Sequence, residues 1–287
     1  MRIVVAGSTG VVGRLLLPML LREGHEVIGL TSNERNIAAI EKTGARAVVA
    51  NVLDRETLRS AIREARPDAI IHQLTSLSNR NFADNTRIRI EGTRNLVDAA
   101  QETGVERLIA QSISWAYEPG EGPAEEDVPL DVLASEPRKT TIDGIVALEE
   151  TVAEMPNHVI LRYGMFYGPG TWYDHGGFMA ERVLQKKIPA TEGITSFLHV
   201  EDAANAALLA LRWPSGPVNL VDDEPAKGLD WLPVYAEALG APAPDALTNR
   251  NGWERGASNA KARQEYGWEP IYPTWRTGFA RSFEIAP

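Results

Sequence analysis

The first thirty residues constrain the fold of this chain more than any other stretch. Arg2–Ala6 is a short apolar run rich in β-branched residues, which predicts a buried strand. A glycine-rich turn follows at once, and apolar residues then recur at helical spacing from Leu15 to Leu20, before Gly24. His25–Leu30 predicts a second strand. Strand, glycine turn, helix and strand in this order form the first half of a dinucleotide-binding unit.

Each of the three glycines in this turn has its own physical reason. Gly7 allows a sharp turn after the strand, Gly10 leaves room for a pyrophosphate, and Gly13 lets the helix lie close to the sheet. The helix N-terminus offers N–H groups and a positive dipole end to phosphates. An ordinary strand-to-helix connection is the alternative. The predicted cofactor contacts in the turn are Gly7, Thr9, Gly10, Val11, Val12 and Gly13.

Composition excludes several classes of function. The chain has 287 residues, 44% of them hydrophobic, and no apolar run approaches the ~20 residues of a membrane helix. A net charge of −10 argues against binding to nucleic acid or anionic membranes. Cysteine is absent, which excludes disulfides, and the five histidines are scattered, so we expect no metal site. The first strand leaves no room for a signal peptide, which favours the cytoplasm.

Strand and helix patterns alternate along the chain, which predicts an α/β fold of Rossmann type: a mostly parallel sheet with helices on both faces and a smaller C-terminal lobe. We expect a dinucleotide-binding domain at 1–163 and 195–217, and a substrate lobe at 164–194 and 218–287. The further strands are predicted at Ala45–Ala50, Ala69–Leu74, Val105–Ile113, Val159–Tyr163, Ser196–Val200 and Val218–Leu220. The further helices are predicted at Glu34–Lys42, Asn85–Glu102, Thr140–Met155, Met179–Gln185, Asp202–Leu211 and Leu229–Leu239.

The ends of the predicted strands supply further cofactor contacts. After the second strand, an acid that would bind the adenosine ribose is missing, and Thr31, Ser32, Asn33 and Arg35 could surround a 2′-phosphate. This pattern favours NADP over NAD, although Arg35 could also be a solvated residue of the following helix. Asn51 and Val52 follow the third strand, where an adenine could lie. The fourth and sixth strands contribute Gln73, Leu74, Thr75 and Tyr163.

Two loops leave their role open. The segment 118–137 is rich in proline, glycine and acids, and a connection of this length is either a lid or a solvated loop. Residues 172–175 (Trp-Tyr-Asp-His) could face a substrate or anchor the small lobe. Tyr163 and Tyr167 could line a cleft, but tyrosines in such places are more often packing groups.

Several separated motifs resemble the extended short-chain dehydrogenase/reductase family, and within it the NAD-dependent epimerase/dehydratase group and its atypical relatives. These are the glycine turn, Asn51–Asp54, His72-Gln73, Gln111–Tyr117, Leu161–Gly164 with Tyr167–Gly170, and His199–Ala203. The resemblance covers nearly the whole chain. It implies a Rossmann fold, an NAD(P) cofactor, a small-molecule substrate and a possible homodimer.

Redox members of this family carry a Tyr, a Lys four residues after it and a Glu four residues after the Lys. This chain departs from that pattern. Within Thr140–Met155, anchoring on Glu149 puts Thr141 and Ile145 in these two places, and anchoring on Glu150 gives Ile142 and Val146. Neither register supplies the pair. Asp202 resembles a family motif, but we interpret it as a helix cap and His199 as structural.

The remaining catalytic candidates are Ser112, Ser114 and Tyr117, at and just after the end of the fifth strand. The favoured hypothesis is an atypical NAD(P)-dependent oxidoreductase of a small organic substrate, more suited to reduction because an unassisted phenol is a poor base. A non-redox isomerase or lyase and a nucleotide-binding sensor remain as alternatives, since the fold alone does not choose.

Overall fold

The computed structural model describes residues 1–77 and 82–284, and in them strands and helices alternate. In chain order the strands are β1 Arg2–Ala6, β2 Glu26–Thr31, β3 Arg46–Val49, β4 Ala69–His72, β5 Arg107–Ile113, β6 Asn157–Tyr163, β7 Met165–Tyr167, β8 Ile194–Thr195, β9 Phe197–His199, β10 Gly216–Leu220 and β11 Ala226–Lys227. The helices are α1 Gly13–Arg22, α2 Ile37–Glu41, α3 Arg55–Ala65, α4 Phe82–Arg87, α5 Thr93–Glu102, α6 Arg138–Ala153, α7 Phe178–Leu184, α8 Val200–Leu209, α9 Gly228–Ala238, α10 Ala260–Gln264 and α11 Trp275–Glu284.

Seven of these strands form one sheet in the order β10-β6-β5-β4-β1-β2-β3. The pairings of β1 with β2 and β4 are parallel, as are those of β2 with β3 and β4 with β5. The strand order reverses between β1 and β4, where Ala6 is paired with His72. Ligands of such sheets bind outside the carboxyl ends of the strands at this switch point. The predicted α/β fold class is confirmed.

The chain forms two compact units. Unit 1 comprises 1–112, 132–161 and 204–217, and unit 2 comprises 113–131, 162–203 and 218–287. Unit 1 has an aliphatic core that includes Val4, Ile28, Ile70, Leu96 and Leu108. The predicted division into a cofactor domain and a substrate lobe stays a prediction, and its last residues, 285–287, lie outside the described part.

Unit 2 has a different kind of core, built mostly from aromatic rings. Tyr167, Tyr173, Phe197, Tyr235 and Phe279 are buried and meet mostly in tilted or edge-to-face pairs, such as Tyr173 with Phe197 at a centroid distance of 5.5 Å, while Tyr173 and Phe279 are stacked. A smaller cluster holds Tyr117, Ala124, Val221 and Ala257. Edge-to-face pairs of buried rings add to the stability gained from area burial.

Local sequence signals account for several element ends. Leu16, Leu17 and Leu20 form the buried stripe of α1, which is followed by Gly24 at φ +79°. The carboxylate of Asp54 accepts the Thr57 N–H and caps α3, which confirms the predicted cap.

The structure corrects three predictions. The segment Ser196–Val200 does not return to the main sheet, because β9 pairs in parallel with β7. Asp202 does not cap its helix, since α8 begins at Val200 and the Asp202 carboxylate accepts the N–H groups of Ile271 and Tyr272. The predicted helix Glu34–Lys42 is a 3₁₀ turn, Glu34–Asn36, followed by α2.

The long helix predicted at Asn85–Glu102 is interrupted. α4 runs into a π-helical segment, Ile88–Gly92, before α5 begins. Such a segment adds a residue to one turn and rotates the side chains before it relative to those after it. Ile88 is therefore only half-buried, and Arg89 is buried instead.

Candidate functional site

The glycine turn of unit 1 is fixed by close packing. Gly7 has φ +88°, and a Cβ there would overlap the carbonyl oxygen of Gln73. A Cβ on Gly13 would overlap the carbonyl oxygen of Gly7. Gly10 differs from both: it is exposed, and a Cβ on it would lie 3.3 Å from the Gly7 oxygen, its nearest neighbour. Two glycines are therefore required by the fold, whereas Gly10 keeps the approach to the turn open.

The N-terminus of α1 is available to an anion. The Gly10 N–H donates to the Gly7 carbonyl at 3.0 Å, which closes the turn, and no side chain caps the helix at Val12. Val11 and Thr9 complete the turn beside this helix start. An uncapped helix start behind an open glycine is a cradle of the shape and charge that a pyrophosphate requires.

The end of β2 is tied to the glycine turn through a residue that the sequence analysis missed. The Asn36 amide donates to Thr31 Oγ1 at 3.1 Å and to Thr9 Oγ1 at 3.4 Å. Asn33 caps the 3₁₀ turn by accepting the Arg35 N–H at 3.0 Å. Ser32 and Arg35 are exposed beside it. These candidate ribose-binding residues thus lie next to the glycine turn. Asn36 could have been found from the sequence, because it is a polar residue directly after Arg35.

The residues that follow β3 and β4 lie at the same edge of the sheet, outside the carboxyl ends of its strands. Asn51 accepts the Leu53 N–H, and Val52 is buried against Gly92. Gln73 follows β4 and donates its N–H to the Ala6 carbonyl. Leu74 is half-buried, and its carbonyl accepts the Gln111 amide at 3.0 Å, while Thr75 is exposed. Their roles as cofactor contacts remain predictions.

His72, buried at the end of β4, holds the segment 73–75 in place. Its Nδ1 accepts the Leu74 N–H at 3.1 Å, and its Nε2 lies 3.0 Å from Thr93 Oγ1. This pattern requires a neutral ring with the proton on Nε2. Burial, and then the charge of Arg89, lower the pKa of His72 to about 4.

We predict that His72 makes the protein acid-sensitive. The unfolded ring takes up a proton below its ordinary pKa of 6.5, whereas the folded ring does not until about pH 4. Its stabilising contribution is complete above pH 6.5 and falls by about 2 kcal/mol on going to pH 5. Chemical denaturation of wild type and His72→Asn across this range measures the difference. Parallel pH profiles for the two proteins would contradict the prediction.

Ser112 at the end of β5 is hydrogen-bonded to a buried carboxylate. Its hydroxyl donates to Glu149 Oε1 at 2.6 Å, and both residues are buried. Glu149 faces the sheet, whereas Glu150 is exposed. The structure therefore agrees with the alignment anchored on Glu149, which places Thr141 and Ile145 where the family has its Tyr and Lys. Ser112 positions α6 against β5 and holds its proton away from any substrate.

The candidates in unit 2 are also buried. Tyr117 is 1% exposed, and its hydroxyl donates to Asn219 Oδ1 at 2.5 Å and accepts from Arg162 Nη1 at 2.9 Å. The Ser114 N–H donates to the Tyr163 carbonyl at 2.9 Å, and the Ser114 side chain is buried. The expectation that Tyr117 donates a proton to substrate is not supported, because its hydroxyl is enclosed and already paired.

Tyr163, Tyr167 and residues 172–175 of unit 2 make packing contacts, and the role of Tyr163 as a cofactor contact stays a prediction. The Tyr163 hydroxyl lies 3.4 Å from the Ala203 carbonyl, and Tyr167 is fully buried, which raises its pKa. Tyr173 belongs to the aromatic core, and the His175 ring lies 4.0 Å from that of Phe283. Of the two readings of residues 172–175, anchoring fits these contacts.

Residues 1–77 and 82–284 contain neither a metal-binding cluster nor a membrane-spanning helix. Histidines and acids come together nowhere in that part as a group able to hold a metal ion. None of its helices combines the length and the apolar character that crossing a membrane requires.

A parallel sheet with a glycine turn at its switch point and an uncapped helix start behind it defines a dinucleotide-binding α/β protein. Residues 3–220 match the NAD dependent epimerase/dehydratase family, and the chain belongs to it.

Three comparisons define its relatives. A Streptomyces protein, 3-diazoavenalumate denitrifying reductase, is 42% identical over 98% of this chain and 100% of its own length. UDP-glucose 4-epimerase of Thermus thermophilus, solved in complex with NAD, is 26% identical with a TM-score of 0.78 over all of both chains. WbmG of Bordetella bronchiseptica, solved with NAD and UDP, shares the fold at 20% identity and a TM-score of 0.79, over 99% of this chain and 95% of its own.

Proposed function

We propose that this chain is an NAD(P)-dependent reductase whose substrate is a small carboxylate bearing a diazo group, which leaves as dinitrogen. The observation that carries the proposal is the 42% identity, over essentially the full length of both chains, to a denitrifying reductase of a diazo compound. The family name and the glycine turn support a nicotinamide cofactor.

The absence of a tyrosine and lysine pair from α6 agrees with this chemistry. A carbonyl that accepts hydride becomes an alkoxide and needs a proton, which a tyrosine and lysine pair would supply. A bound dihydronicotinamide supplies hydride, and the net reaction R–N₂⁺ + H⁻ → R–H + N₂ balances in atoms and charge without a proton. The substrate carbon gains the hydrogen as its bond to nitrogen breaks. An enzyme for this step can dispense with the pair that is absent from α6.

The residues of unit 1 fit a dinucleotide. The open Gly10 and the start of α1 would hold the pyrophosphate, and Thr31, Ser32 and Asn33 would lie beside the adenosine ribose. Ser112 and Tyr117 are positioning residues in this proposal, since both hydroxyls are paired inside the protein. What this part of the chain does is bind and orient the cofactor.

We propose a preference for NADP(H), with Arg35 as the residue that recognises the 2′-phosphate. Arg35 is exposed, and within the described residues no carboxylate pairs with its guanidinium. We expect Arg35→Ala to weaken NADPH binding about tenfold and to leave NADH binding nearly unchanged, because a charge-assisted contact is worth about 1.5–3 kcal/mol. Calorimetric titration of both cofactors measures this. A wild type that binds NADH tenfold more tightly than NADPH would show the preference to be wrong.

The reaction itself can be tested by isotope transfer. Purified protein is mixed with NADPH deuterated at C4 and with arenediazonium compounds that do or do not carry a carboxylate. We expect one deuterium on the product carbon and one N₂ released per NADPH oxidised, above the rate without protein. Carbonyl and enone substrates serve as the comparison and should consume no NADPH.

Two results would count against the proposal. Turnover of carbonyls but not of diazonium compounds would indicate an ordinary reductase. Tight cofactor binding without oxidation by any substrate would favour the nucleotide sensor or the non-redox enzyme.

A further inference from the structure

Arg89 is a buried cation in the π-helical segment between α4 and α5. It is 8% exposed, whereas its neighbour Arg87 is exposed and pairs with Glu91 at 2.9 Å. Arg162, which is also deeply buried, shows what such a residue usually requires, because its guanidinium donates to the Tyr117 hydroxyl and the Glu126 carbonyl. Arginine is almost never buried without partners of this kind.

Arg89 has no such partners within residues 1–77 and 82–284. No carboxylate, carbonyl or hydroxyl of that part of the chain hydrogen-bonds to or pairs with its guanidinium. Its titratable neighbour His72 is neutral and offers no negative charge. Burial lowers the pKa of Arg89 to about 10, so it remains charged at neutral pH. A buried guanidinium without a partner lowers folding stability.

Its position connects it to the ligand-binding edge of unit 1. Arg89 acts electrostatically on His72, the last residue of β4, at the switch point of the sheet. On its other side, a Cβ on Gly144 of α6 would lie 3.6 Å from Arg89 Cδ and 3.3 Å from Thr86 Cγ2. The stem of Arg89 therefore packs against α6 at Gly144. π-Helical turns are frequent at functional sites.

We propose that Arg89 binds an anionic oxygen group, a carboxylate or a phosphate, of a ligand held at the carboxyl end of β4. The inference deepens the proposed function and rests on its dinucleotide and carboxylate ligands. Within residues 1–77 and 82–284 no anion compensates this charge, and the ligand would supply one. The planar guanidinium suits both groups, because each offers two oxygens to its fork of N–H donors.

This role predicts opposite effects on stability and binding. Arg89→Met keeps the length of the side chain and removes the charge, so the ligand-free protein should melt at a higher temperature than wild type. The same variant should bind the anionic ligand at least about tenfold more weakly, as expected for a lost charge-assisted contact. An arginine with a merely structural role would lower the melting temperature when removed. Arg87→Met is the matched control, from the exposed face of the same helical run.

The two sources of the anion are separated by their probes. Calorimetry measures NADPH alone, and then cinnamate and the uncharged cinnamamide, each with and without NADPH. Weaker NADPH binding by Arg89→Met assigns the anion to a cofactor phosphate. Weaker cinnamate binding with unchanged NADPH and cinnamamide binding assigns it to a substrate carboxylate.

Arg89→Lys, which retains a positive charge, replaces Arg89→Met if that variant does not fold, and it should retain part of the affinity. A wild type that binds neither NADPH nor cinnamate overturns the inference, and so does a folded Arg89 variant that binds both as wild type does. The proposed function fails differently: anion binding at Arg89 is kept, but no diazonium compound is reduced.

Discussion

Gly10→Val is expected to abolish dinucleotide binding while leaving the protein folded. The nearest atom to a Cβ on Gly10 is the Gly7 carbonyl oxygen at 3.3 Å, and its φ lies outside the left-handed region. The fold can therefore accept a side chain with a small adjustment. A branched side chain here would, however, occupy the space in front of the α1 N-terminus. We expect the affinity for NADPH and NADH to fall by more than about 100-fold, or about 2.7 kcal/mol.

The neighbouring glycines give this experiment its control. Gly13→Val should unfold unit 1 or strongly destabilise it, because a Cβ there overlaps backbone atoms of Gly7 and Ser8. Gly252→Val tests a glycine of similar clearance in unit 2, where a Cβ would lie 3.1 Å from Pro119 Cβ. Circular dichroism and calorimetry on all three variants separate folding from binding. Wild-type affinity in a folded Gly10→Val would remove the glycine turn from the cofactor site.

Tyr117→Phe is expected to cost about 3 kcal/mol of folding stability, since two buried hydrogen bonds are lost and one of them comes from a charged group. The hydroxyl bridges Asn219 and Arg162, and removing it leaves the Arg162 guanidinium without one acceptor. The ring is kept, and with it the contact of Arg162 over the aromatic face at 5.0 Å. Urea denaturation measures the loss of stability.

Hydride transfer in Tyr117→Phe should match wild type in the single-turnover assay, at a temperature where both proteins are folded. Lower folding stability with an unchanged rate of hydride transfer distinguishes a structural phenol from a catalytic one. A variant of wild-type stability that has lost turnover would return Tyr117 to the mechanism. Asn219→Asp is a useful companion, because it keeps an acceptor for the Tyr117 hydroxyl.

Sequence reasoning succeeded where a short stretch carries its own physical signal. The β-branched run Arg2–Ala6, the glycines after it and the leucine stripe of α1 specify strand, turn and helix without help from distant residues. The cap at Asp54 is equally local. The family motifs extended this to the order of the elements and to a nicotinamide cofactor, and residues 3–220 bear this out.

The errors arose where a pairing partner lies far along the chain. Phe197–His199 is apolar enough for a central strand, and only its pairing with Met165–Tyr167 shows where it belongs. Asp202 has the composition of a cap, but the N–H groups that it binds come from residues 271–272. The surroundings of Tyr117 could not be predicted locally either, because its partners Asn219 and Arg162 lie 102 and 45 residues away in sequence.

The sequence by itself determined the α/β class, the glycine turn and the absence of a Tyr and Lys pair from α6, since each depends on residue type and spacing within a few turns of chain. Tertiary structure decided which polar groups are available. It paired Ser112 with Glu149 and enclosed Tyr117, and it left Arg89 buried without a partner in the described residues. The physical reason is that burial and pairing depend on neighbours brought together by folding, and the free energy of a charge or hydroxyl depends on those neighbours more than on its own identity.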